Sequence, residues 1–328
     1  MSGRRRQLHA AGALAAVAMA VVGCGSASDD ARRTALSALA TPLAAEPASA
    51  AATPSARTSC GDPTVSLRPP AVLPAPAAMP PGSFMARIRR RGRLIAGVDQ
   101  NTLLFAYLRP STARIEGFEV DLVREIARAI LGNHAIVELR ALTTAQRLAA
   151  VESGAVDIVA DAVTINCFRR REVAFSTVYY DAWQRLLVPA GSPARRLADL
   201  GGRAVCATKT STSLPRIEND PAKPVPFPVT QRTDCLVALQ EGRVAAILAD
   251  DAFLLGFKAQ DPKTKIVGPR LTDEPYGMAI NRSHPEFVRF VNGVLARLRR
   301  DGTWKTIHRR WIGRLAPTPS PPRPSYSD

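Results

Sequence analysis

The sequence predicts an α/β protein with about two domains. Between about residues 84 and 313, segments with strand character alternate with segments of helical periodicity, which is the pattern of α/β folds. The chain has 328 residues, enough for about two domains of ~100–200 residues each. Hydrophobic residues make up 46% of the chain, so it can bury a sizeable core.

The first half of this body is predicted as strand, helix, strand, helix, strand. The strands are the aliphatic runs RLIAGV (93–98), AIVELRAL (135–142) and VDIVADAV (156–163). GFEVDLVREIARAIL (117–131) has apolar residues at helical spacing, and TAQRLAAVESG (144–154) is a second helix, closed by its glycine. This order is typical of an α/β sheet.

The second half continues the alternation. RAVCAT (203–208) is a strand, and the Ser/Thr-rich loop KTSTS (209–213) follows it and precedes a helical segment. VAAILA (244–249) is a further strand and ends at Asp250. Because hydroxyls and free N–H groups at the start of a helix can bind an anion, the loop is a candidate binding element.

The N-terminus predicts export and a lipid anchor. Residues 1–23 combine three arginines with an apolar stretch of signal-peptide length, which is short for a membrane-spanning helix. The run VVGC resembles a bacterial lipobox with Cys24 as the lipidated residue, and the alternative is an ordinary signal peptide that contains a cysteine. Acyl chains on Cys24 would hold the protein at the outer face of the cytoplasmic membrane, in the cell envelope.

Segments of biased composition flank the body. Residues 24–83 are rich in Ala, Pro, Ser and Thr, with few residues that could build a core, so we expect a tether. Residues 315–328 form a Pro-rich tail of extended backbone. Cys60 is an exception within the tether.

Four cysteines remain besides Cys24. Cys60, Cys167, Cys206 and Cys235 are an even number in an oxidising compartment, which favours two disulfides. Sequence alone permits three pairings. No Cys-x-x-Cys run and no cluster of histidines supports a metal site, so we expect neither a metal nor a cofactor.

The formal charge of +16 raises the possibility of a nucleic-acid partner. Three of the positive charges belong to the leader, and most others are scattered in pairs such as Arg195 and Arg196. No nucleic-acid-binding module accompanies them, so we expect no nucleic-acid partner. A basic exported protein near an anionic envelope accounts for the charge.

Polar residues lie where the predicted strands end, which is where open α/β sheets bind ligands. These residues are Asp99, Thr164, Arg169, Ser211, Thr212 and Asp250. A guanidinium binds a carboxylate in bidentate fashion, and an aspartate pairs with an ammonium. Each residue alone is better explained as a helix cap or a solvated side chain. Together they suit the α-carboxylate and α-ammonium of a free amino acid.

Several segments between residues 88 and 313 resemble the bacterial extracellular solute-binding proteins of family 3, the polar amino acid receptors of ABC importers. They are RGRLIAGVD, GFEVDL, SGAVDIVADAVTIN with RRREVAFSTVYY, LADLGGRAVCATKTSTS, GRVAAILADD, YGMAINR and LRRDGTWKTIHRRW. In its lipobox, its Pro-rich tether and the positions of its cysteines, the chain is most similar to actinobacterial glutamine/glutamate-binding lipoproteins. The resemblance implies a two-lobed, periplasmic-binding-protein-like (venus flytrap) fold with two hinge crossings. Lobe 1 would comprise residues 84–185 and 281–314, and lobe 2 residues 186–280.

The resemblance also implies roles for single residues. The family's Thr-Ile-Thr-x-x-Arg run corresponds to residues 164–169, which makes Arg169 the clamp of the ligand α-carboxylate and Thr164 a polar ligand contact. Thr212 falls at a carboxylate-binding position, and Asp250 at the position of the α-ammonium partner.

Neighbouring positions follow from the same comparison. We expect Asn166 to cap the turn before Arg169, with Arg170 and Arg171 solvated. The chain departs from the family's frequent Gly at Thr210 and from its small Ser or Gly at Ala162. The candidate aromatic residues for stacking on the ligand are Phe105 and Tyr107.

Arg147 bears on which amino acid is bound. In the family's receptors for acidic amino acids an arginine at this position faces the ligand side-chain carboxylate, and the alternative is a surface arginine on a helix. Lys209 is a second candidate cation. Asp99 would accept hydrogen bonds from a ligand amide or hold Arg147 in place. Glutamate or aspartate is therefore the expected ligand, with glutamine or asparagine next.

These features predict a monomeric, lipid-anchored receptor that is not an enzyme. It would deliver the amino acid to an ABC permease or, alternatively, act as the sensing subunit of a membrane signalling partner. An enzyme such as a dehydratase on the same fold is disfavoured, since no acid–base pair lies outside the clamp. Because Cys206 and Cys235 both fall in lobe 2, we expect them to pair, which leaves Cys60 to pair with Cys167.

Overall fold

Two β-sheets, one in each lobe, organise the chain. The structure is a computed structural model that describes residues 60–328. The predicted signal peptide, the predicted lipidation site at Cys24 and the first part of the predicted tether lie outside the described residues. No helix within residues 60–328 is both long enough and apolar enough to cross a bilayer.

Helices and strands alternate through both lobes, as the sequence predicts. The α-helices of the described residues are α1 Phe84–Arg91, α2 Phe118–Leu131, α3 Arg147–Glu152, α4 Ser213–Glu218, α5 Arg232–Gln240, α6 Asp251–Gln260, α7 Pro285–Arg300 and α8 Thr303–Trp311. The strands are β1 Ser66–Leu67, β2 Arg93–Val98, β3 Asn101–Thr102, β4 Ala106–Arg109, β5 Arg114–Glu116, β6 Ile136–Ala141, β7 Ile158–Val159, β8 Ala174–Phe175, β9 Tyr180–Pro189, β10 Ala204–Thr208, β11 Val225–Val229, β12 Ala246–Asp250, β13 Thr264–Val267, β14 Asp273–Tyr276, β15 Ala279–Ile280 and β16 Tyr326–Ser327. Single 3-10 turns span Pro76–Ala78, Arg169–Arg171 and Leu197–Leu200.

Lobe 1 is built on a five-stranded sheet with the order β6–β2–β7–β15–β8. β6, β2 and β7 are parallel, and β15 runs antiparallel to β7 and β8. Neighbouring residues of the central strands face different cores: Leu94 and Ile158 face one, and Ile95 and Val159 face the other. Helices α2 and α7 pack on the first face and α3 on the second, so the sheet has a helical layer on each side.

Lobe 2 has a second sheet with the order β11–β10–β12–β9–β13, and β14 pairs with the first half of β9. Leu186, Leu187 and Val188 of β9 alternate between the two faces of this sheet, as the period of a strand requires. Helix α4 covers one face, and α5 and α6 cover the other. The carboxyl ends of β10 and β12 therefore lead into the loops that face lobe 1.

Two neighbouring antiparallel strands, β9 and β14, carry the chain between the lobes. The boundary expected between residues 185 and 186 falls inside β9, because this strand pairs first with β14 and then with β12 and β13. β15 pairs with β7 and β8. Residues 279–280 therefore lie in the lobe 1 sheet, although the sequence analysis placed them at the end of lobe 2.

The tether prediction is wrong for residues 60–83, which pack on lobe 1. β1 pairs with β16, so this segment and the C-terminal tail form a two-stranded parallel sheet. The side chain of Asn292 on α7 donates to Ser66 Oγ at 2.8 Å and to the carbonyl oxygen of Leu67 at 2.7 Å. Specific hydrogen bonds, which composition does not reveal, hold the segment in place.

Candidate functional site

A cavity between the two lobes collects most of the residues that the sequence singled out. The space between its lining residues amounts to about 470 Å³, part of which is open to solvent. The predicted residues in its lining are Arg147, Thr164, Arg169, Ser211, Thr212 and Asp250. Arg232 and Phe253 also line it and were not predicted. Asp99 is absent from the lining and lies behind Arg232, to which it is hydrogen-bonded.

Arg169 is a buried cation, with 5% of its surface exposed. Its Nη1 donates to the carbonyl oxygen of Thr164 at 2.9 Å, and its Nη2 to that of Thr210 at 3.4 Å. No carboxylate of the described residues lies within ion-pairing distance of this guanidinium, and burial lowers its pKa to about 9. The arginine is thus held by backbone carbonyls and keeps donors for an anion.

The turn around Arg169 is shorter than a helix but is capped as expected. Asn166 Oδ1 accepts a hydrogen bond from the Arg169 N–H at 2.9 Å. Arg171 is exposed and lies over the ring of Phe168. The prediction that Arg170 is solvated is wrong, because its Nη1 donates to two carbonyl oxygens of the segment 63–65. The second arginine therefore binds the N-terminal segment.

Two predicted hydroxyls meet at one carboxylate that sequence reasoning missed. Glu274 on β14 is buried, and its Oε2 accepts hydrogen bonds from Thr164 Oγ1 at 2.6 Å and from Thr212 Oγ1 at 2.9 Å. Thr164 belongs to lobe 1 and Thr212 to lobe 2, so Glu274 joins the lobes at the crossing. No motif marks this glutamate in the sequence, because its role depends on the position of β14 between the lobes.

Asp250 is the N-cap residue of α6 and is buried in the cavity wall. Its Oδ2 accepts a hydrogen bond from the Tyr276 hydroxyl at 2.6 Å. Burial, together with the charge of Glu274, raises the pKa of Asp250 to about 7. A ligand cation beside this carboxylate would relieve both effects.

Arg147 is buried, with 3% of its surface exposed, so the alternative of a surface arginine is wrong. Its Nη1 donates to the carbonyl oxygen of Asp161 at 2.6 Å and lies 3.6 Å from Asp161 Oδ2. Burial lowers its pKa. Its other guanidinium nitrogens donate no hydrogen bond within residues 60–328 and remain available in the cavity.

Arg232, the first residue of α5, reaches from lobe 2 into lobe 1. Its Nη1 donates to a carboxylate oxygen of Asp99, to Thr102 Oγ1 at 3.2 Å and to Asp161 Oδ1 at 2.8 Å. Although burial opposes ionisation, the charge of Arg232 lowers the pKa of Asp99. The expectation that Asp99 holds Arg147 is therefore wrong, since Asp99 pairs with Arg232 and Arg147 lies beside Asp161.

The aromatic and second-cation candidates lie elsewhere. Phe105 is fully buried and packs edge-on against Tyr180, so it belongs to the core. Tyr107 donates from its hydroxyl to Glu116 in the sheet of β3, β4 and β5. Phe253 and Phe257 are the aromatic residues among the described residues that line the cavity. Lys209 lines a separate surface hollow.

Both expected disulfides are present. Cys60 is bonded to Cys167, and Cys206 to Cys235. Cys167 precedes the clamp residue Arg169 by two positions, and Cys235 is part of the cavity lining. Each disulfide therefore holds backbone that adjoins the site.

Relatives that are named for amino acids share this sequence pattern. The sequence profile of the bacterial extracellular solute-binding proteins, family 3, matches residues 94–314. An ABC transporter glutamine-binding protein of Bacillus subtilis is 31% identical over 229 residues, which cover 70% of this chain and 84% of the relative. A glutamate/aspartate import solute-binding protein of Salmonella typhimurium is 26% identical over 260 residues, which cover 76% of this chain and 83% of the relative.

Solved structures share the fold. The crystal structure of a mutant of ArgBP from T. maritima superposes with a TM-score of 0.65 at 26% identity, over 70% of this chain and 99% of that chain. An ancestral arginine-binding protein bound to glutamine gives a TM-score of 0.64 at 29% identity, over 68% of this chain and 99% of that chain. With the profile matched over most of its length and both lobes accounted for, this chain belongs to the bacterial extracellular solute-binding proteins of family 3.

Proposed function

We propose that the protein is a lipid-anchored extracellular receptor that binds a free polar L-amino acid between its lobes and delivers it to an ABC permease. Relatives named for glutamine and for glutamate/aspartate support this ligand class. The observation that carries the proposal is Arg169, a buried guanidinium that lines the inter-lobe cavity with no carboxylate partner among the described residues.

The main-chain groups of an amino acid match two walls of the cavity. Arg169 binds the α-carboxylate, assisted by hydroxyls of the Ser211–Thr212 loop, because a guanidinium offers paired donors to a carboxylate. Asp250 pairs with the α-ammonium through the oxygen that Tyr276 leaves unbonded. Arg169 and Asp250 are already buried, so ligand binding does not have to remove them from water. A zwitterion supplies each of them with an opposite charge.

The ligand side chain is read by Arg147. The free nitrogens of its guanidinium suit a carboxylate, and they bind an amide carbonyl less strongly, since the hydrogen bond that they donate to it is to an uncharged acceptor. Glutamate and aspartate are therefore the first choice, with glutamine and asparagine next.

Calorimetry of the purified protein against the twenty common amino acids tests this function. We expect the acidic pair to bind most tightly, the amide pair less tightly, and the large apolar residues not at all. Absence of binding by every one of the twenty would overturn the receptor proposal. Tightest binding by a basic amino acid would retain a receptor but refute the side-chain role of Arg147.

The anchor is tested separately. Cys24→Ala should release the protein from membranes into the soluble fraction, because a lipidated cysteine is the proposed attachment. Retention of this variant on membranes after a high-salt wash would contradict the lipoprotein assignment. A membrane protein that co-purifies with wild type would identify the partner as a permease or as a signalling protein.

A further inference from the structure

A compact acidic subsite adjoins the cavity, and the protein's own arginine fills it. Three oxygen acceptors, from Asp99, Thr102 and Asp161, converge on Nη1 of Arg232. The ring of Phe253 lies beneath the same guanidinium, with its centroid 4.6 Å from the guanidinium carbon. Two carboxylates, a hydroxyl and an aromatic face form a recognition site for a guanidinium or an ammonium ion.

The occupant and the subsite come from different lobes. Arg232 begins α5 in lobe 2, whereas Asp99 and Asp161 follow strands β2 and β7 of lobe 1. All three side chains are less than 10% exposed, so this ion pair is shielded from solvent. A hydrogen bond of 3.0 Å from Asn101 to the adjacent Gln231 supports the same junction.

The subsite is continuous with the ligand cavity. Arg232 and Phe253 belong to the lining that contains Arg147, Arg169 and Asp250. A basic ligand side chain that entered this cavity would meet the cations of Arg147 and Arg232, while the two carboxylates that could neutralise it are already paired. An acidic or amide side chain meets no such barrier.

We propose that Arg232 is a specificity residue that occupies an acidic subsite as a built-in guanidinium and thereby excludes basic amino acids. This inference rests on the proposed amino-acid receptor function and adds to it the ligand class that is rejected and the residue that rejects it. Since the subsite would remain when the side chain is removed, the chain holds a latent site for arginine or lysine. The same ion pair also joins the two lobes.

The decisive experiment is calorimetry of wild type, Arg232→Met and the double variant Arg232→Met with Asp99→Asn. We expect L-arginine to bind Arg232→Met at least about tenfold more tightly than it binds wild type, because it pairs with the vacated carboxylates. The double variant, with one carboxylate removed, should lose this gain. A folded Arg232→Met protein that binds glutamate but gains nothing for arginine or lysine would overturn the proposal. Loss of glutamate binding without that gain would also overturn it, since Arg232 would then contact the ligand directly.

A second measurement serves if the buried carboxylates destabilise Arg232→Met. Methylguanidinium, which replaces the missing head group, should raise the Tm of Arg232→Ala at millimolar concentration and leave the Tm of wild type unchanged. No rise in Tm would refute the subsite. Failure of wild type to bind any amino acid would instead refute the receptor function, so the two proposals fail in different ways.

Discussion

Two arginines in one cavity differ in what surrounds them, and this difference decides what each can recognise. Arg169 donates only to carbonyl oxygens, whereas Arg147 has the carboxylate of Asp161 at 3.6 Å. A buried cation without a counter-charge favours any anion that reaches it, so Arg169 suits the group that all amino acids share. Arg147 is partly neutralised and suits a group that varies between ligands.

Arg169→Ala and Arg147→Ala should therefore fail differently in calorimetry. Removing one member of a desolvated, hydrogen-bonded charge pair costs about 2–5 kcal/mol, and ~1.4 kcal/mol is tenfold in affinity. Arg169→Ala should lose well over tenfold for every amino acid that binds. Arg147→Ala should lose a similar factor for glutamate and aspartate but much less for glutamine and asparagine.

Arg171→Ala is the matched control, because Arg171 is exposed beside the same turn and should leave every affinity unchanged. If Arg147→Ala retained wild-type affinity for glutamate, the side-chain assignment would fail. If Arg169→Ala did so, the receptor assignment would fail as well.

Asp250 makes ligand affinity depend on pH. Its pKa in the free protein is raised to about 7, whereas pairing with an α-ammonium requires the ionised form. Between pH 7 and about pH 9, where Arg169 begins to lose its proton, the carboxylate is already charged and affinity should be constant. Below pH 7 binding must expel a proton, so affinity should fall by up to about tenfold per pH unit while the ligand stays zwitterionic.

Substitutions of two neighbours of Asp250 should shift the pH at which affinity begins to fall, and should do so in opposite directions. Tyr276→Phe removes a hydrogen bond that stabilises the carboxylate, so the pKa rises and the loss of affinity begins at higher pH. Glu274→Gln removes a negative charge, so the pKa falls and the loss begins at lower pH. Burial raises the pKa of Glu119 to about 7 as well. Glu119→Gln is therefore the control, and it should leave the pH dependence of ligand affinity unchanged. If Tyr276→Phe and Glu274→Gln moved the loss of affinity in the same direction along the pH scale, the assignment of this pH dependence to Asp250 would be contradicted.

At the scale of elements, the loops that reach the cavity depart from regular geometry. Ala162, after β7, and Thr210, after β10, both have positive φ, of 46° and 59°. The family resemblance predicts Gly at position 210 and Ser or Gly at position 162. A side chain in this region of backbone space costs about 1–2 kcal/mol, which the surrounding contacts must offset.

Thr210→Gly should consequently stabilise the protein. Thr210 is exposed, and Arg169 contacts only its carbonyl oxygen, so the substitution relieves backbone strain without removing a contact to the clamp. We expect the free energy of unfolding in urea to rise by about 1 kcal/mol. Ser211→Gly is the control, since Ser211 lacks a positive φ and its Oγ accepts from the Leu214 N–H, and it should be destabilising. Destabilisation by Thr210→Gly would contradict the strain argument.

The same loops explain why some element boundaries escape prediction. The run 156–163 has strand composition throughout, yet β7 ends at Val159. Beyond it, the Ala162 N–H donates to Glu119 and the carbonyl of Asp161 accepts from Arg147. Backbone groups that bond to side chains from distant elements cannot pair in a ladder, and no local pattern reports that. Strands β2, β6 and β10, whose groups pair within the sheet, are close to their predicted ranges.

At the scale of the whole molecule, the sequence reveals the lobes and the residues at strand ends but not the contacts between lobes. Arg169 and Asp250 could be found because they follow strands. Arg232 and Glu274 could not, since the cavity-side partners of Arg232 lie 71 to 133 positions away in the chain, and Thr164 and Thr212, which bind Glu274, lie 110 and 62 positions away. The packing of residues 60–83 on lobe 1 was missed for the same reason.

Asn292 shows how strongly such a distant contact binds the molecule together. Its side chain is fully buried, accepts from the Thr177 N–H at 2.7 Å and donates to both residues of β1. Asn292→Leu keeps the volume but leaves the Thr177 N–H and the Leu67 carbonyl oxygen without this partner, at about 1–3 kcal/mol for each, whereas Ser66 Oγ still donates to the carbonyl oxygen of Phe175. We expect the free energy of unfolding in urea to fall by at least about 2 kcal/mol and the segment 60–83 to become sensitive to limited proteolysis.

Asn219→Leu supplies the comparison, because Asn219 is exposed at the end of α4 and donates only to a carbonyl of its own helix. Its substitution should change the free energy of unfolding by less than about 0.5 kcal/mol. The disulfide of Cys60 with Cys167 remains in both variants, so added proteolysis in Asn292→Leu alone reports the lost hydrogen bonds rather than release of the whole segment. Equal stability of the two variants would mean that the hydrogen bonds of Asn292 contribute little to the attachment of the N-terminal segment to lobe 1.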